Sequence, residues 1–137
     1  MGRIAIPAKG TPRPATIKEV KILLFDDNLM WSARLTKSLK ALGHEPELAS
    51  AVPDTTDAAA AIVNLGSAKF DAASAVPRLR ALGVHVIGHA GHKEKDLLAL
   101  GRAAGCDTLA SNSKLTFSLE ELLDLVKLPG LRVKPVS

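Results

Sequence analysis

The sequence has a single cysteine, Cys106, no tyrosine, three phenylalanines and one tryptophan. One cysteine excludes an intramolecular disulfide, so the fold depends on its apolar core, and a reducing cytoplasm is the expected location. So few aromatic side chains exclude a stacking platform for single-stranded nucleic acid. No apolar run approaches the roughly 20 residues that a membrane-spanning helix needs, and the first residues lack the pattern of a signal peptide.

The positive charge of the chain is concentrated at its two ends. The net charge is +4, yet residues 21–126 carry more acidic than basic side chains, and the excess of lysine and arginine lies in residues 1–20 and 127–137. Basic ends of this kind can contact nucleic acid or an anionic membrane, or they can simply be solvated. Together with three prolines and a glycine in residues 7–16, this predicts a flexible basic arm over residues 1–19, one domain over 20–127, and a basic tail over 128–137.

Short apolar runs alternate with helical patterns along the chain. Strands are predicted over 21–25, 44–49, 60–64, 84–88 and 108–110, and the longer segments between them have apolar residues at helical spacing. Only about a dozen residues separate the second strand from the third, so the helix there is predicted to have one or two turns at most. This alternation predicts a parallel sheet with helices on both faces.

Several residues are candidate helix caps. Asn28, or one of the aspartates before it, can cap the first helix, and Ser74 is a candidate cap for the helix that ends near Gly83. Pro77 is then expected in the first turn of that helix, where its missing N–H is tolerated. Ser118, with Glu121 three residues later, has the pattern of a capping box for the last helix.

Polar side chains end the predicted first and third strands. Asp26 and Asp27 follow the first strand, and Asn64 ends the third. Two carboxylates can hold Mg²⁺ weakly with the help of water, or they can serve only to cap the following helix. Asn64 cannot form an acyl phosphate, because an amide is not a nucleophile for phosphoryl transfer.

Three of the four histidines, His85, His89 and His92, cluster around the fourth strand. On a strand His85 and His89 share a face but lie roughly 13 Å apart, so only His89 and His92 could converge on zinc. Either could instead line a pocket at the carboxyl ends of the strands, or be a loop histidine satisfied by the backbone.

Three further features have both a functional and a structural interpretation. The segment 111–114 is predicted to be a loop that either binds an anion or caps a helix. Cys106 is interpreted as inert packing, and Trp31 as a half-buried residue or a partner contact.

Four stretches, 22–28, 80–87, 103–107 and 117–123, together resemble the receiver domain of bacterial response regulators. The resemblance covers roughly residues 20–127. It implies a doubly wound, flavodoxin-like α/β fold with a five-stranded parallel sheet of order 2-1-3-4-5 and, in this chain, a shortened second helix.

The resemblance also assigns positions to the chemistry of that family. It places the acidic pair at Asp26 and Asp27, and the phosphoacceptor aspartate at Asn64. It places the Thr or Ser that contacts the phosphoryl group at His89 or Ala90, and the conserved lysine of the family at Asn112, with Lys114 nearby. Because three of these five positions are changed, the resemblance implies a degenerate member, a pseudo-receiver.

The expected function is therefore a phosphorylation-independent protein–protein interaction module in signalling or regulation. The resemblance places the partner or dimer surface on residues 93–104, the fifth strand and residues 115–127. No complete catalytic set is visible, so we expect no enzymatic activity and no cofactor beyond weakly held Mg²⁺, with nucleic acid contacted only through the basic ends. The alternative is a small-ligand or nucleotide binding module, whose pocket would be lined by Asp26, Asp27, Asn64, His89, His92, Ser111 and Asn112.

Overall fold

The computed structural model describes residues 20–126. Five parallel strands form one sheet in the order β2-β1-β3-β4-β5. This confirms the predicted strand order. The strands are β1 Lys21–Phe25, β2 Glu45–Leu48, β3 Ala60–Asn64, β4 His85–Ala90 and β5 Thr108–Ser111.

Helices cover both faces of the sheet. They are α1 Leu29–Ala41, α2 Ala72–Ala81, α3 Lys95–Ala104, α4 Asn112–Phe117 and α5 Leu119–Leu123. Helices α1, α4 and α5 contribute to one apolar cluster, and α2 and α3 pack against a second. The two clusters lie on opposite faces of the sheet, as a doubly wound arrangement requires.

Alternation along β1 divides its side chains between the two clusters. Ile22 and Leu24 belong to the cluster under α1, whereas Leu23 and Phe25 belong to the cluster under α2. All four are buried. Complete burial of such a side chain contributes about 1.5–3 kcal/mol to the stability of the fold. A strand with four consecutive apolar side chains, which point alternately to both faces of the sheet, therefore belongs in the middle of the sheet.

The predicted short second helix is absent. Residues 49–59, which join β2 to β3, form no helix. Pro53 has no N–H to donate, and the Thr56 hydroxyl accepts a hydrogen bond from the Ala58 N–H at 3.0 Å, which favours a local turn. The Ala59 N–H then donates to the Lys21 carbonyl at 2.9 Å, so the end of this connection is already bonded to β1.

The expected start of α2 was also wrong. Asp71, not Ser74, caps this helix, and its carboxylate accepts from the Ala73 N–H at 3.1 Å. Pro77 consequently lies inside the helix rather than in its first turn. A proline there removes one hydrogen bond of the helix, which packing of the neighbouring Val76 and Leu79 in the core must offset.

Two boundaries near the carboxyl edge of the sheet differ from the prediction. β4 runs past the predicted end at residue 88 to Ala90. Gly88 lies inside this strand because the Cys106 side chain packs closely against it: a Cβ at position 88 would lie 2.7 Å from the Cys106 Sγ. Segment 111–114, predicted to be a loop, begins α4, and the Ser111 hydroxyl caps it by accepting from the Lys114 N–H at 3.1 Å. The Ser118 side chain makes no capping hydrogen bond.

The predicted arm 1–19 and tail 128–137 lie outside the described residues, as does Lys127. Within residues 20–126, no helix is both long and apolar enough to span a membrane.

Candidate functional site

The carboxyl ends of the central strands bring four of the predicted residues together. Asp26 follows β1, Asn64 ends β3, His89 lies near the end of β4, and Asn112 begins α4 directly after β5. Asn64 and His89 are paired in the parallel register of β3 and β4. Parallel strands end at the same edge, so the fold itself assembles this group.

Asp26 is the centre of the group. Its side chain is 1% exposed, and its Oδ1 accepts hydrogen bonds from the Asn28 N–H at 2.9 Å and the Asn64 Nδ2 at 3.0 Å. The Asn64 amide oxygen accepts in turn from the Gly66 N–H at 3.0 Å. Asn64 is thus held between a carboxylate and a backbone amide, and an amide suits both partners because it donates and accepts.

His89 fills the space beside Asp26. Its side chain is completely buried, its Nδ1 lies 2.7 Å from the Asn112 Oδ1, and its Nε2 lies 3.7 Å from the Asp26 Oδ2. The Trp31 ring packs edge-on against the imidazole, with the centroids 5.9 Å apart. Among residues 20–126 the Asp26 Oδ2 and the His89 Nε2 find no hydrogen-bond partner, so two buried polar atoms face each other at ion-pair distance.

Hydrogen-bond chemistry favours a proton on the His89 Nε2. With the Asn112 oxygen facing Nδ1, that nitrogen must donate, and Nε2 is compatible with the Asp26 carboxylate only if it is protonated as well. With the Asn112 amide reversed, Nδ1 accepts, and the neutral ring carries its single proton on Nε2. Both arrangements direct an N–H at Asp26.

Two opposing effects act on the pKa of Asp26. Burial, the larger single influence, favours the neutral acid, but the contacts with His89, the Asn28 N–H and the Asn64 amide stabilise the carboxylate. The balance lowers the pKa of Asp26 below its ordinary value of 3.8. Asp26 is therefore ionised at neutral pH and interacts with groups of the protein itself.

Asp27 lies on the other side of this group and does not join it. It is exposed, and its Oδ2 accepts a long hydrogen bond of 3.4 Å from the Ala68 N–H. An open cavity of about 320 Å³ lies there, between the first turn of α1 and the segment after β2. Of the seven predicted pocket residues, only Asp26 and Asp27 line it; the others in the lining are Leu29, Ser32, Leu48, Ala49, Ser50, Lys69 and Phe70.

The remaining candidates are placed elsewhere. The Ser111 hydroxyl caps α4, and the His85 Nε2 lies 2.9 Å from the Thr108 Oγ1. His92 is exposed in the turn before α3, with no hydrogen bond to the group around Asp26. Within residues 20–126, no three His, Cys, Asp or Glu side chains are grouped closely enough to hold a metal ion.

A divalent cation does not fit the acidic pair as it stands. The Asp26 Oδ1 already accepts from two N–H groups, and the Asp26 Oδ2 faces the imidazole. Of the acidic pair, only Asp27 presents a free carboxylate edge. Mg²⁺ bound by protein normally relies on one or two carboxylates together with phosphate and water, so Asp27 without a phosphate group would hold Mg²⁺ only weakly.

Trp31 was not predicted as part of the site. Its position in the third residue of α1 places it where that helix leaves the carboxyl edge of the sheet, beside β4. The order of the strands, which puts β1 near β4 with only β3 between them, is the signal that could have identified it.

Solved structures of receiver domains are similar to this chain in fold. The receiver domain of a sensor histidine kinase from Pseudomonas aeruginosa, with a magnesium ion coordinated in its active site cleft, has a TM-score of 0.67 at 19% identity, covering 77% of this chain and 95% of that one. A receiver domain of a Francisella response regulator has a TM-score of 0.62 at 15% identity, covering 77% and 97%. The chain has the receiver-domain fold.

A third structure with this fold comes from Burkholderia pseudomallei. It is a response regulator with a phosphorylated aspartic acid, a calcium ion and citrate, and has a TM-score of 0.64 at 17% identity, covering 77% of this chain and 66% of that one. No protein-family model matches the sequence, and no curated protein matches it significantly. At these identities the receiver fold is what the likeness shows.

Proposed function

We propose that this chain is a degenerate receiver, a pseudo-receiver, that acts in signalling or regulation through protein–protein contact and without phosphorylation. The observation that carries the proposal is the contact between His89 and Asp26. In a receiver this space would hold the cation and the phosphoryl group, and here a buried imidazole fills it.

The residues around this contact support the same proposal. Asn64, at the phosphoacceptor position, cannot form an acyl phosphate. Of the two candidates for the switch position we choose His89, because its side chain is directed at Asp26. Asn112, at the lysine position, is already bonded to His89 and carries no charge to attract a phosphoryl oxygen. We expect no phosphoryl transfer and no other catalysis, and a location in the cytoplasm.

A phosphodonor tests the loss of phosphorylation. We expect intact-mass spectrometry of the protein after incubation with acetyl phosphate and Mg²⁺ to show no added phosphoryl group. A stoichiometric phosphoryl adduct that hydroxylamine removes would be an acyl phosphate and would contradict the proposal. An unrelated receiver with an intact phosphoacceptor aspartate, treated in the same way, is the positive control.

We place the interaction surface, as the resemblance implies, on α3, β5, α4 and α5. The Phe117 side chain at the end of α4 is 84% exposed, and Leu125 after α5 is 56% exposed. Large apolar side chains that are this exposed are candidates for contact residues when they lie on one surface.

Phe117→Ser tests this surface. We expect the wild-type chain to form a dimer in sedimentation velocity runs, or to bind a partner protein, and the variant to lose that association. Leu48→Ser, which removes an exposed apolar side chain from β2 instead, is the matched control and is expected to leave the association intact. A monomer whose partner binding is indifferent to Phe117→Ser would refute this placement.

The cavity beside Asp27 favours a second candidate function, a small-ligand binding module. Its volume of about 320 Å³ reaches the lower end of the range of small-molecule sites, roughly 300–1,000 Å³. A ligand for it would raise the melting temperature, and Asp27→Asn would reduce that rise. A panel of nucleotides and metabolites that leaves the melting temperature unchanged would argue against this function.

A further inference from the structure

The exposed face of α1 is basic along most of its length. Arg34, Lys37 and Lys40 recur every three residues, and all three are exposed. The helix contains no acidic residue. Side chains three positions apart in an α-helix are neighbours on one face, so these cations form a continuous stripe.

The described chain supplies no acidic partner for this stripe, although the Arg34 guanidinium lies over the Trp31 ring, 5.6 Å from its centroid. Three other cations have carboxylate partners within ion-pair distance: Lys21 with Glu47 and Asp57, Arg80 with Asp107, and Lys114 with Glu121. Between residues 20 and 126, no carboxylate lies within that distance of the three cations on α1. The stripe therefore presents its charge to solvent or to a partner.

Apolar side chains lie at the amino-terminal end of the same helix. Leu29 is 81% exposed and Met30 is 77% exposed. Beside them is an open cavity of about 160 Å³, lined by Asn28, Met30, Trp31 and Arg34. A cavity of about 150 Å³ accommodates a benzene molecule, so this one has room for a single apolar side chain.

We propose that this face of α1 docks an acidic amphipathic segment of a partner protein. One apolar side chain of that segment enters the cavity beside Trp31, and its carboxylates lie along Arg34, Lys37 and Lys40. This is a second surface, separate from Phe117 and α3, and its existence does not depend on the proposed function. Complementary charge supplies the orientation, and the buried apolar side chain supplies most of the affinity.

A protein segment fits these features better than the other anionic partners. Contacts to nucleic acid phosphates would leave Leu29 and Met30 exposed to water. A helix that lies in a membrane surface needs an apolar face along its whole length, whereas the exposed apolar residues of α1 are confined to its first turn. The combination of one apolar cavity with an adjoining basic stripe favours a helix that carries one anchor residue.

The chain contains its own reporter for this binding. Trp31, the only tryptophan, lines the cavity and contacts His89 on its other side. Its fluorescence therefore reports occupation of the cavity. Because the ring lies against the imidazole, the NMR resonances of His89 report the same event from inside the protein.

A fluorescence titration with synthetic peptides tests the proposal. The probe is a helical peptide of about 15 residues with glutamates on one face and a single phenylalanine beside them. We expect a saturable change in Trp31 fluorescence and a shift of the His89 resonances. We expect the affinity measured from this change to fall as salt is added. Changing the phenylalanine to alanine, or the glutamates to lysine, is expected to abolish the change.

Charge reversal at the far end of the stripe is the matching test on the protein. We expect Lys37→Glu with Lys40→Glu to weaken the peptide about ten-fold, since each lost surface pair is modest and reversal adds repulsion. These positions do not line the cavity, so the Trp31 signal of the free protein should be preserved. Arg78→Glu with Arg102→Glu makes the same charge change on α2 and α3 and is expected to have no effect.

Three outcomes would overturn the proposal. They are an absence of saturable binding by the phenylalanine peptide, equal weakening by both charge-reversal pairs, or tighter binding to phosphatidylserine–phosphatidylcholine vesicles or duplex DNA than to the peptide. Each of them leaves the Phe117→Ser and acetyl phosphate experiments unaffected, so failure of this surface and failure of the proposed function are distinguishable.

Discussion

At the scale of single residues, the contact between His89 and Asp26 distinguishes this site from an open phosphorylation site. The sequence could predict that Asp26, Asn64 and Asn112 meet, because all three follow directly from strand ends in a parallel sheet. It could not predict that His89 is buried among them. The strand was predicted to end at residue 88 but runs to Ala90, and the close approach of the Cys106 Sγ explains why glycine stands at position 88 inside it.

The lowered pKa of Asp26 predicts a specific dependence of stability on pH. Because the pKa is depressed by folding, the ionised carboxylate stabilises the folded state fully above its ordinary value of 3.8 and loses that effect as the pH falls through the folded pKa. We expect the melting temperature of Asp26→Asn to fall less steeply than that of the wild type between about pH 4 and pH 2. The exposed Asp27→Asn variant is the control, and parallel curves for all three proteins would contradict the assignment.

Removal of the His89 side chain is expected to destabilise the fold strongly. His89→Ala would leave a cavity in the core and remove the imidazole that faces the buried Asp26 Oδ2, a loss of about 2–4 kcal/mol in the free energy of unfolding. His92→Ala removes an exposed histidine three residues away and should change that free energy by less than about 0.5 kcal/mol. Urea unfolding of both variants measures the difference, and similar midpoints would show that His89 is not a core residue.

At the scale of secondary structure elements, the strands were more predictable than the helix ends. The central strands β1, β3 and β4 are largely apolar runs that must be buried, whereas a helix can begin at any of several capping residues. Asp71 and Ser74 both precede the apolar face of α2, and only the packed structure decides between them. The connection 49–59 contains alanines, which have high helix propensity, but it forms no helix, and its last residue, Ala59, already donates a hydrogen bond to Lys21 of β1.

The two serines near the last helices give an element-scale prediction. Ser111→Ala removes the hydroxyl that caps α4 and should lower the free energy of unfolding by about 1 kcal/mol. Ser118→Ala removes a hydroxyl with no capping bond and should have an effect within about 0.5 kcal/mol. Thermal or urea unfolding distinguishes the two variants. A larger loss of stability for Ser118→Ala would contradict this assignment and support the capping box that the sequence pattern predicts.

At the scale of the whole molecule, the five-stranded parallel sheet and its strand order could be predicted from the alternation of strands and helices and from the resemblance, whereas the predicted second helix is absent. The functional surfaces could not be predicted, because exposure depends on how elements pack. Leu29, Met30 and Phe117 have the same apolar character in the sequence as core residues, and the structure alone shows that they face outward. The two proposed partner surfaces, one on α1 and one on α3, β5, α4 and α5, are what a scaffold without a chemical switch would offer to partners.

The most direct test of the central claim is an amide NMR titration of the labelled protein, first with Mg²⁺ and then with beryllofluoride, which imitates a bound phosphoryl group. Because His89 already fills the site, we expect neither addition to produce saturable changes in the amide chemical shifts around Asp26 and Asn64. Shifts that begin at Asp26, Asp27 and Asn64 and spread to α3 after beryllofluoride would show that a phosphorylation-type switch operates in this chain, and would contradict the account.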